Sequence, residues 1–244
     1  MIGRSDLFLG LDRVYVINVK AFADRRRHVT AELDRFQIQP EFIHDWDIAD
    51  LNEESERWFA TGSNLSAAQK SCGMKHIEAL QRIVARGQGA ALVLEDDVVL
   101  APEFANAMRI ALAERARFAP LHVVFMGCGG NFFTPHRQRS PEHHLYPATK
   151  GRFADSYLIN AETAAARLEW IKHHKVTRPI DNEFEAIDRA LGIQMLWYED
   201  PVVEQGSKNG KFRSQLERDP PPWLKGILFR WEKIRRKYLY RALR

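Results

Sequence analysis

Ala90-Ala91-Leu92-Val93-Leu94-Glu95-Asp96-Asp97-Val98-Val99-Leu100 runs apolar, delivers three carboxylates in a row and then turns apolar again. Its first half has the character of a buried strand in a parallel sheet, hydrophobic throughout because helices cover both faces. Glu95, Asp96 and Asp97 then stand at the carboxyl end of that strand, where open α/β sheets place their ligands. Three adjacent carboxylates repel one another unless they share something positive. A divalent cation is the simplest partner, since Mg²⁺ and Mn²⁺ prefer oxygen ligands. The structural alternative is a solvated acidic turn. Against it, the strand before the acids and the helix opening near Pro102 fix them on a rigid edge.

Upstream, Ser66-Ala67-Ala68-Gln69 is a capping box. It opens a helix with Cys72, His76, Ala79, Leu80 and Ile83 along one side, ended by Gly87-Gln88-Gly89. Further back, Arg13 to Val19 predicts a central first strand. Asp24 is placed to N-cap the following helix, and Gln39-Pro40 ends it. Glu41 to His44 predicts a short second strand. Downstream, Leu121–Met126 predicts a strand, Asp155–Asn160 another, Glu162–Lys172 a helix, Pro179 to Leu191 a further helix and Gln194–Tyr198 a last strand. Between them, residues 131–152 show no periodicity, which suits a binding lid or a disordered loop. Strands alternating with helices mean an α/β domain with a mostly parallel sheet flanked by helices.

Of the 244 residues, 45% are hydrophobic, enough for one full core. The two cysteines, Cys72 and Cys128, are far apart without metal-ligand spacing, so a reducing, cytoplasmic setting is expected. The apolar run Val14–Val19 is too short for a signal peptide, and no segment approaches the roughly 20 apolar residues that cross a bilayer. The formal charge of +4 is uneven: residues 223–244 carry eight Lys/Arg and one Glu, a local +7 that leaves −3 elsewhere. Such local basicity argues against nucleic acid and for a tail that meets an anionic surface. After Pro220-Pro221-Pro222, the residues Leu224, Ile227, Leu228, Trp231, Ile234 and Tyr238 recur at helical steps. The expected division is therefore a domain over 1–222 and a basic amphipathic helix over 223–244, either peripheral on the inner face of the membrane or packed on its own domain or a partner subunit.

These blocks, in this order, resemble glycosyltransferase family 25, which includes lipooligosaccharide galactosyltransferases. Val16-Ile17-Asn18-Val19 with Arg25-Arg26-Arg27, Gln69 through Cys72 with His76, Leu94-Glu95-Asp96-Asp97, Ser156-Tyr157-Leu158-Ile159 and Pro179-Ile180-Asp181 are similar to the family's successive motifs. Gln69, Ser71 and Lys75 depart from its usual Glu, Gly and Ser. The resemblance implies a GT-A-like fold, Mn²⁺ or Mg²⁺, and a nucleotide-sugar donor of the UDP-sugar kind. It further implies inverting transfer of a hexose, galactose first, to a glycan or glycolipid acceptor such as lipopolysaccharide.

Within that frame Asp97, furthest out from the strand, is the first choice for metal ligand. Asp96 serves the metal or the donor ribose, and Glu95 the metal or its surroundings. Asn18 and Arg25 are donor-binding candidates, since guanidinium forks and helix N-termini both suit phosphate. His76 is either a donor contact or a satisfied buried histidine. An inverting reaction needs a base for the acceptor hydroxyl. Asp181 leads for that role by resemblance, with a helix N-cap as its structural alternative, and Asp155 stands behind it. His136, His143 and His144 lack any fixed spacing and are expected to be exposed loop residues. A non-catalytic sugar-binding member of the same fold is the alternative function. A nucleotidyltransferase is a third, weakened because Asn18 to Arg27 contains no glycine for a phosphate loop.

Overall fold

A computed structural model describes residues 10–206. The expected tail over 223–244, and the boundary at 222, lie outside the described residues. In chain order the elements are β1 (Arg13–Ile17), α1 (Ala23–Asp34), β2 (Glu41–Ile43), α2 (Glu53–Glu56), α3 (Ala67–Ala85), β3 (Ala91–Glu95), β4 (Val98–Leu100) and α4 (Phe104–Glu114). There follow β5 (His122–Phe125), β6 (Leu145–Ala148), β7 (Ser156–Ile159), α5 (Ala161–His174), α6 (Ile180–Leu191), β8 (Gln194–Tyr198) and β9 (Val203–Gln205).

Seven strands form one sheet in the order β2-β1-β3-β7-β5-β8-β6. β1 pairs in parallel with β2 and β3, and β5 pairs in parallel with β8. β7 runs antiparallel to both β3 and β5, and β6 runs antiparallel to β8. Five strands therefore share one direction, and the sheet is mostly parallel. β4 and β9 make a separate two-stranded ribbon just beyond the carboxyl end of β3.

Strand alternation sorts the core into two layers. Tyr15, Val93, Val123 and Tyr157 face Ile77 and Leu80 of α3, Leu168 of α5 and Ile187 of α6. Val14, Val16, Leu92, Leu94 and Val124 face Val29 and Leu33 of α1 and Phe104 and Met108 of α4. With both faces covered, the central strands have no polar side, which is why they are continuously apolar in sequence.

The Ser66 box closes as the sequence predicts: Ser66 Oγ accepts from the Gln69 N–H at 3.2 Å, and Gln69 Oε1 accepts from the Ser66 N–H at 2.9 Å. Three local expectations change. The N-cap of α1 is Phe22, with Asp24 inside the first turn, because the Phe22 N–H already closes a turn onto Val19 O. Residues 131–152 are not featureless, since they supply β6 and the buried Arg152. Pro147 hides β6 from a periodicity search, and its place is the outermost strand, where a missing N–H is tolerated. His144 is not a free loop residue: it stacks on Tyr198 and its ring Nδ1 lies 2.8 Å from Glu114.

Candidate functional site

The site forms along the sheet edge where β1, β3 and β5 end and β7 begins. An antiparallel β7 starts at the rim where the parallel strands finish, so Asp155 arrives beside Glu95, and the Glu95 N–H donates to Asp155 O at 2.9 Å. Residues 60 positions apart in sequence thus share one edge.

The three acids do not face one way. Asp96 turns toward α1, where its Oδ2 accepts from Asn18 Nδ2 at 2.8 Å and its Oδ1 from Arg25 Nη1 at 3.0 Å. Both oxygens of Asp96 are thereby engaged, and the pairing fixes Asn18 and Arg25 on one carboxylate. Glu95 turns to the opposite layer, where Oε2 accepts from Gln205 Nε2 at 3.2 Å. Its carboxylate lies near Cys72 and His76 of α3. Asp97 sits past the strand in the turn before β4, and its carbonyl accepts from the Gly206 N–H at 2.7 Å. Asp96, Asp97 and Asp155 are each at most 5% exposed.

So many buried carboxylates penalise one another. Burial first, then the charges of Asp97, Asp155, Asp96 and Asp181, push Glu95 well above the ordinary carboxylate range. Burial raises Asp155 to about 7, against the hydrogen bond from Ser156 Oγ at 3.0 Å and with further push from Asp97. The other Asp155 oxygen, Oδ2, is buried without a hydrogen-bond partner. Gly127 passes directly over this group, and a β-carbon there would collide with the Asp155 carboxylate and Ser156 Oγ.

Beside the acids opens a cavity of about 230 Å³, lined among others by Phe132, Lys150, Phe153, Tyr157, Phe184 and Asp181. Asp181 is the second residue of α6; the N-cap is Pro179, so Asp181 does not cap the helix. Its carboxylate accepts from the adjacent Asn182 N–H at 2.9 Å and forms part of the cavity wall. Aromatic rings with the carboxylates of Asp181 and Glu185 in the lining make a surface suited to a sugar, apolar on its C–H faces and polar at its hydroxyls.

His76 is fully buried, its Nδ1 3.1 Å from the Tyr157 hydroxyl and its ring edge-on to Phe184. Burial lowers its pKa to about 3, so it is neutral. The three departures from the family pattern are absorbed by packing. Gln69 completes the cap, while Ser71 Oγ donates to Trp46 O at 2.6 Å. Lys75 Nζ donates to Asp45 O at 2.7 Å and pairs with Asp47 at 2.7 Å. Ser71 and Lys75 together hold the 45–47 loop, in which Trp46 has a φ of 68°.

Sequence reading missed Arg152. Its guanidinium donates to Phe132 O (2.6 Å), Tyr198 O (2.6 Å) and Gly127 O (3.3 Å) and lies over the Trp197 ring. Burial lowers its pKa to about 10, so it stays charged at neutral pH and pins the loop that bounds the cavity. Gln205 was missed as well, since nothing in sequence links it to a residue 110 positions earlier.

Among known proteins, residues 11–127 match the sequence pattern of glycosyltransferase family 25 (LPS biosynthesis protein), from just before β1 to just past β5. A Haemophilus influenzae protein provisionally named a glycosyltransferase is 24% identical over 199 residues, 78% of this chain. The match spans 66% of that protein's own length, a little under two thirds. A crystal structure of a glycosyltransferase involved in the glycosylation of the major capsid of PBCV-1 superposes with a TM-score of 0.45 at 8% identity, covering 90% of this chain and 98% of that one.

Proposed function

From the match of residues 11–127 to the sequence pattern of glycosyltransferase family 25, we propose that the protein transfers a hexose, galactose first, from a nucleotide-sugar donor to a hydroxyl of a lipopolysaccharide-type glycan, with inversion. The observation that carries this is the juxtaposition of the acidic edge with the aromatic cavity. Asp96 is gripped by Asn18 and Arg25, Asp97 and Asp155 are buried beside it, and Asp181 stands on the wall of the adjoining pocket.

In this reading Arg25 and Asn18 border the donor, and Asp96 keeps both in place. A hard divalent cation suits the all-oxygen set at the edge, where Asp155 Oδ2 is buried without a hydrogen-bond partner. Asp97 would hold it with Asp155 alongside, and it would supply positive charge for the departing diphosphate. Asp181 takes the proton of the acceptor hydroxyl, which then attacks the anomeric carbon from the face opposite the leaving group. Asp155 is a poorer base for the acceptor, since it is buried beneath Gly127 rather than open to the cavity.

The whole of 1–222 serves as the catalytic domain in this proposal. No helix among the described residues is long and apolar enough to cross a membrane. The +7 sequence of residues 223–244 supports a peripheral place on an anionic membrane, next to a lipid-linked acceptor. The test is to incubate the full chain with UDP-hexoses, Mn²⁺ and lipopolysaccharide fragments and follow the anomeric configuration by NMR. Inverted product from UDP-galactose is expected. Retained configuration overturns the mechanism, and turnover with no nucleotide sugar overturns the function.

A further inference from the structure

We propose that Cys72, His76 and Glu95 form a second metal site that binds a borderline-soft cation, Zn²⁺ by preference, distinct from the oxygen-lined edge at Asp97. One ligand atom from each of the three lies within 4.8 Å of the others. Zn–S and Zn–N bonds of roughly 2.3 and 2.0 Å put coordinated atoms about 3.5 Å apart, so small side-chain rotations close the site.

Each ligand is prepared for the role in a different way. Cys72 and His76 are four residues apart on α3, which places them one turn above the other on a single helix face. Glu95 comes from the tip of β3, the strand against which that face packs, and Gln205 holds its Oε2 from the far side. His76 has its Nδ1 against the Tyr157 hydroxyl, leaving Nε2 as the nitrogen for coordination. That Nε2 is buried, has no hydrogen-bond partner, and belongs to a side chain with 0% exposure. A buried nitrogen with no partner normally carries a desolvation penalty of about 1–3 kcal/mol. A hydrogen bond to one ring nitrogen and a metal on the other is the usual way a ligating histidine is oriented.

The chemistry of the donors selects the ion. A thiolate and an imidazole favour Zn²⁺ over Mg²⁺ and Mn²⁺, which the carboxylate edge suits better. Binding releases the Cys72 thiol proton to solvent, together with the proton that burial and the neighbouring acids favour on Glu95, leaving a thiolate, a carboxylate and a neutral imidazole around a dication. That unit is electrically neutral, in surroundings that already hold Asp96, Asp97, Asp155 and Asp181. The site would tie α3 to the end of β3.

The test uses the full chain and does not depend on transfer activity. Metal content is measured on protein purified without chelator, and absorption is recorded after replacement by Co²⁺. Stoichiometric zinc and a thiolate-to-cobalt charge-transfer band are expected. Cys72→Ser and His76→Gln should lose both, and Cys128→Ser should keep both. With only two cysteines in the chain, persistence of the band in Cys128→Ser assigns it to Cys72 even if Cys72→Ser fails to fold. Protein with no zinc and no cobalt–thiolate band overturns the site. So does a band, or bound zinc, that survives in folded Cys72→Ser. A failed transfer assay with zinc present would instead count against the proposed activity.

Discussion

The Arg167 guanidinium meets the Asp188 carboxylate through two hydrogen bonds, Nε to Oδ1 at 2.8 Å and Nη2 to Oδ2 at 2.6 Å, with both side chains sealed from water. The pair joins α5 to α6. Asp181, Phe184 and Asp188 recur at steps of three and four along α6, so fixing Asp188 sets the rotation that points Asp181 at the cavity. Arg167→Met should therefore cost about 3–5 kcal/mol by leaving a buried carboxylate unpaired. Adding Asp188→Leu should restore most of that stability in urea unfolding. A double variant as weak as the single one would mean the pair does not act through its charges.

Asp97→Asn should abolish transfer with Mn²⁺ present while the circular dichroism spectrum stays unchanged. The side chain lies in a turn past the strand and contributes charge rather than core packing. Turnover near the wild-type level would remove Asp97 from the cation site.

Asp181→Asn should lower kcat by two orders of magnitude or more, on the scale of about 10²–10⁴ usual for a general base. Donor affinity should hardly change, because the carboxylate lines the cavity beside the donor edge. Equal losses in kcat and donor binding would place Asp181 on the donor instead.

Glu114 offers a pH test away from the site. Its carboxylate accepts from the N–H groups of His144 (3.1 Å) and Leu145 (3.0 Å) and lies 2.8 Å from His144 Nδ1, anchoring the start of β6. Burial pushes its pKa up, but the hydrogen bonds from His144 and the two backbone N–H groups outweigh that and hold it below 4.5. A carboxylate depressed on folding contributes stability above its unfolded pKa and loses it as pH falls through the folded one. Glu114→Gln should thus cost about 1–2 kcal/mol at pH 7. The gap in Tm from wild type should close as the pH falls below 4.5. A gap that is constant with pH would assign the loss to packing alone.

Gly127→Ala should destabilise the chain and disturb the site together, because its β-carbon would meet the buried Asp155 carboxylate and Ser156 Oγ. Unchanged melting and unchanged kinetics would show that β7 can shift at its start.

What could be read from the sequence was whatever a local rule controls. Ser66 and Gln69 announce their cap because the bonds span three residues, and Leu92–Leu94 announce a central strand because both neighbours bury them. Pro179 and Leu191 bracket α6 by backbone chemistry and periodicity alone. The order of the acids was legible, but not their directions, because strand alternation sends Asp96 to Arg25 and Glu95 to Gln205 only once the partners are in place. β6 escaped because Pro147 argues against a strand until its edge position is known. Arg152 escaped because a charged side chain is rarely buried, and only three backbone carbonyls from distant segments make it tolerable.

The reversed strand β7 also has a consequence for assembly. It is the seam between two halves of the sheet, β2-β1-β3 on one side and β5-β8-β6 on the other. Glu95, Asp96 and Asp97 belong to the first half, while Asp155 and Asp181 come with β7 and the later chain. The three acids of the first half already repel one another, and the crowding becomes greatest when residues 91–94 zip onto 156–159 and bring Asp155 beside them. Two fragments cut within 115–121 should therefore reassociate against their own electrostatics, and divalent cations should speed that docking more than an equal ionic strength of monovalent salt.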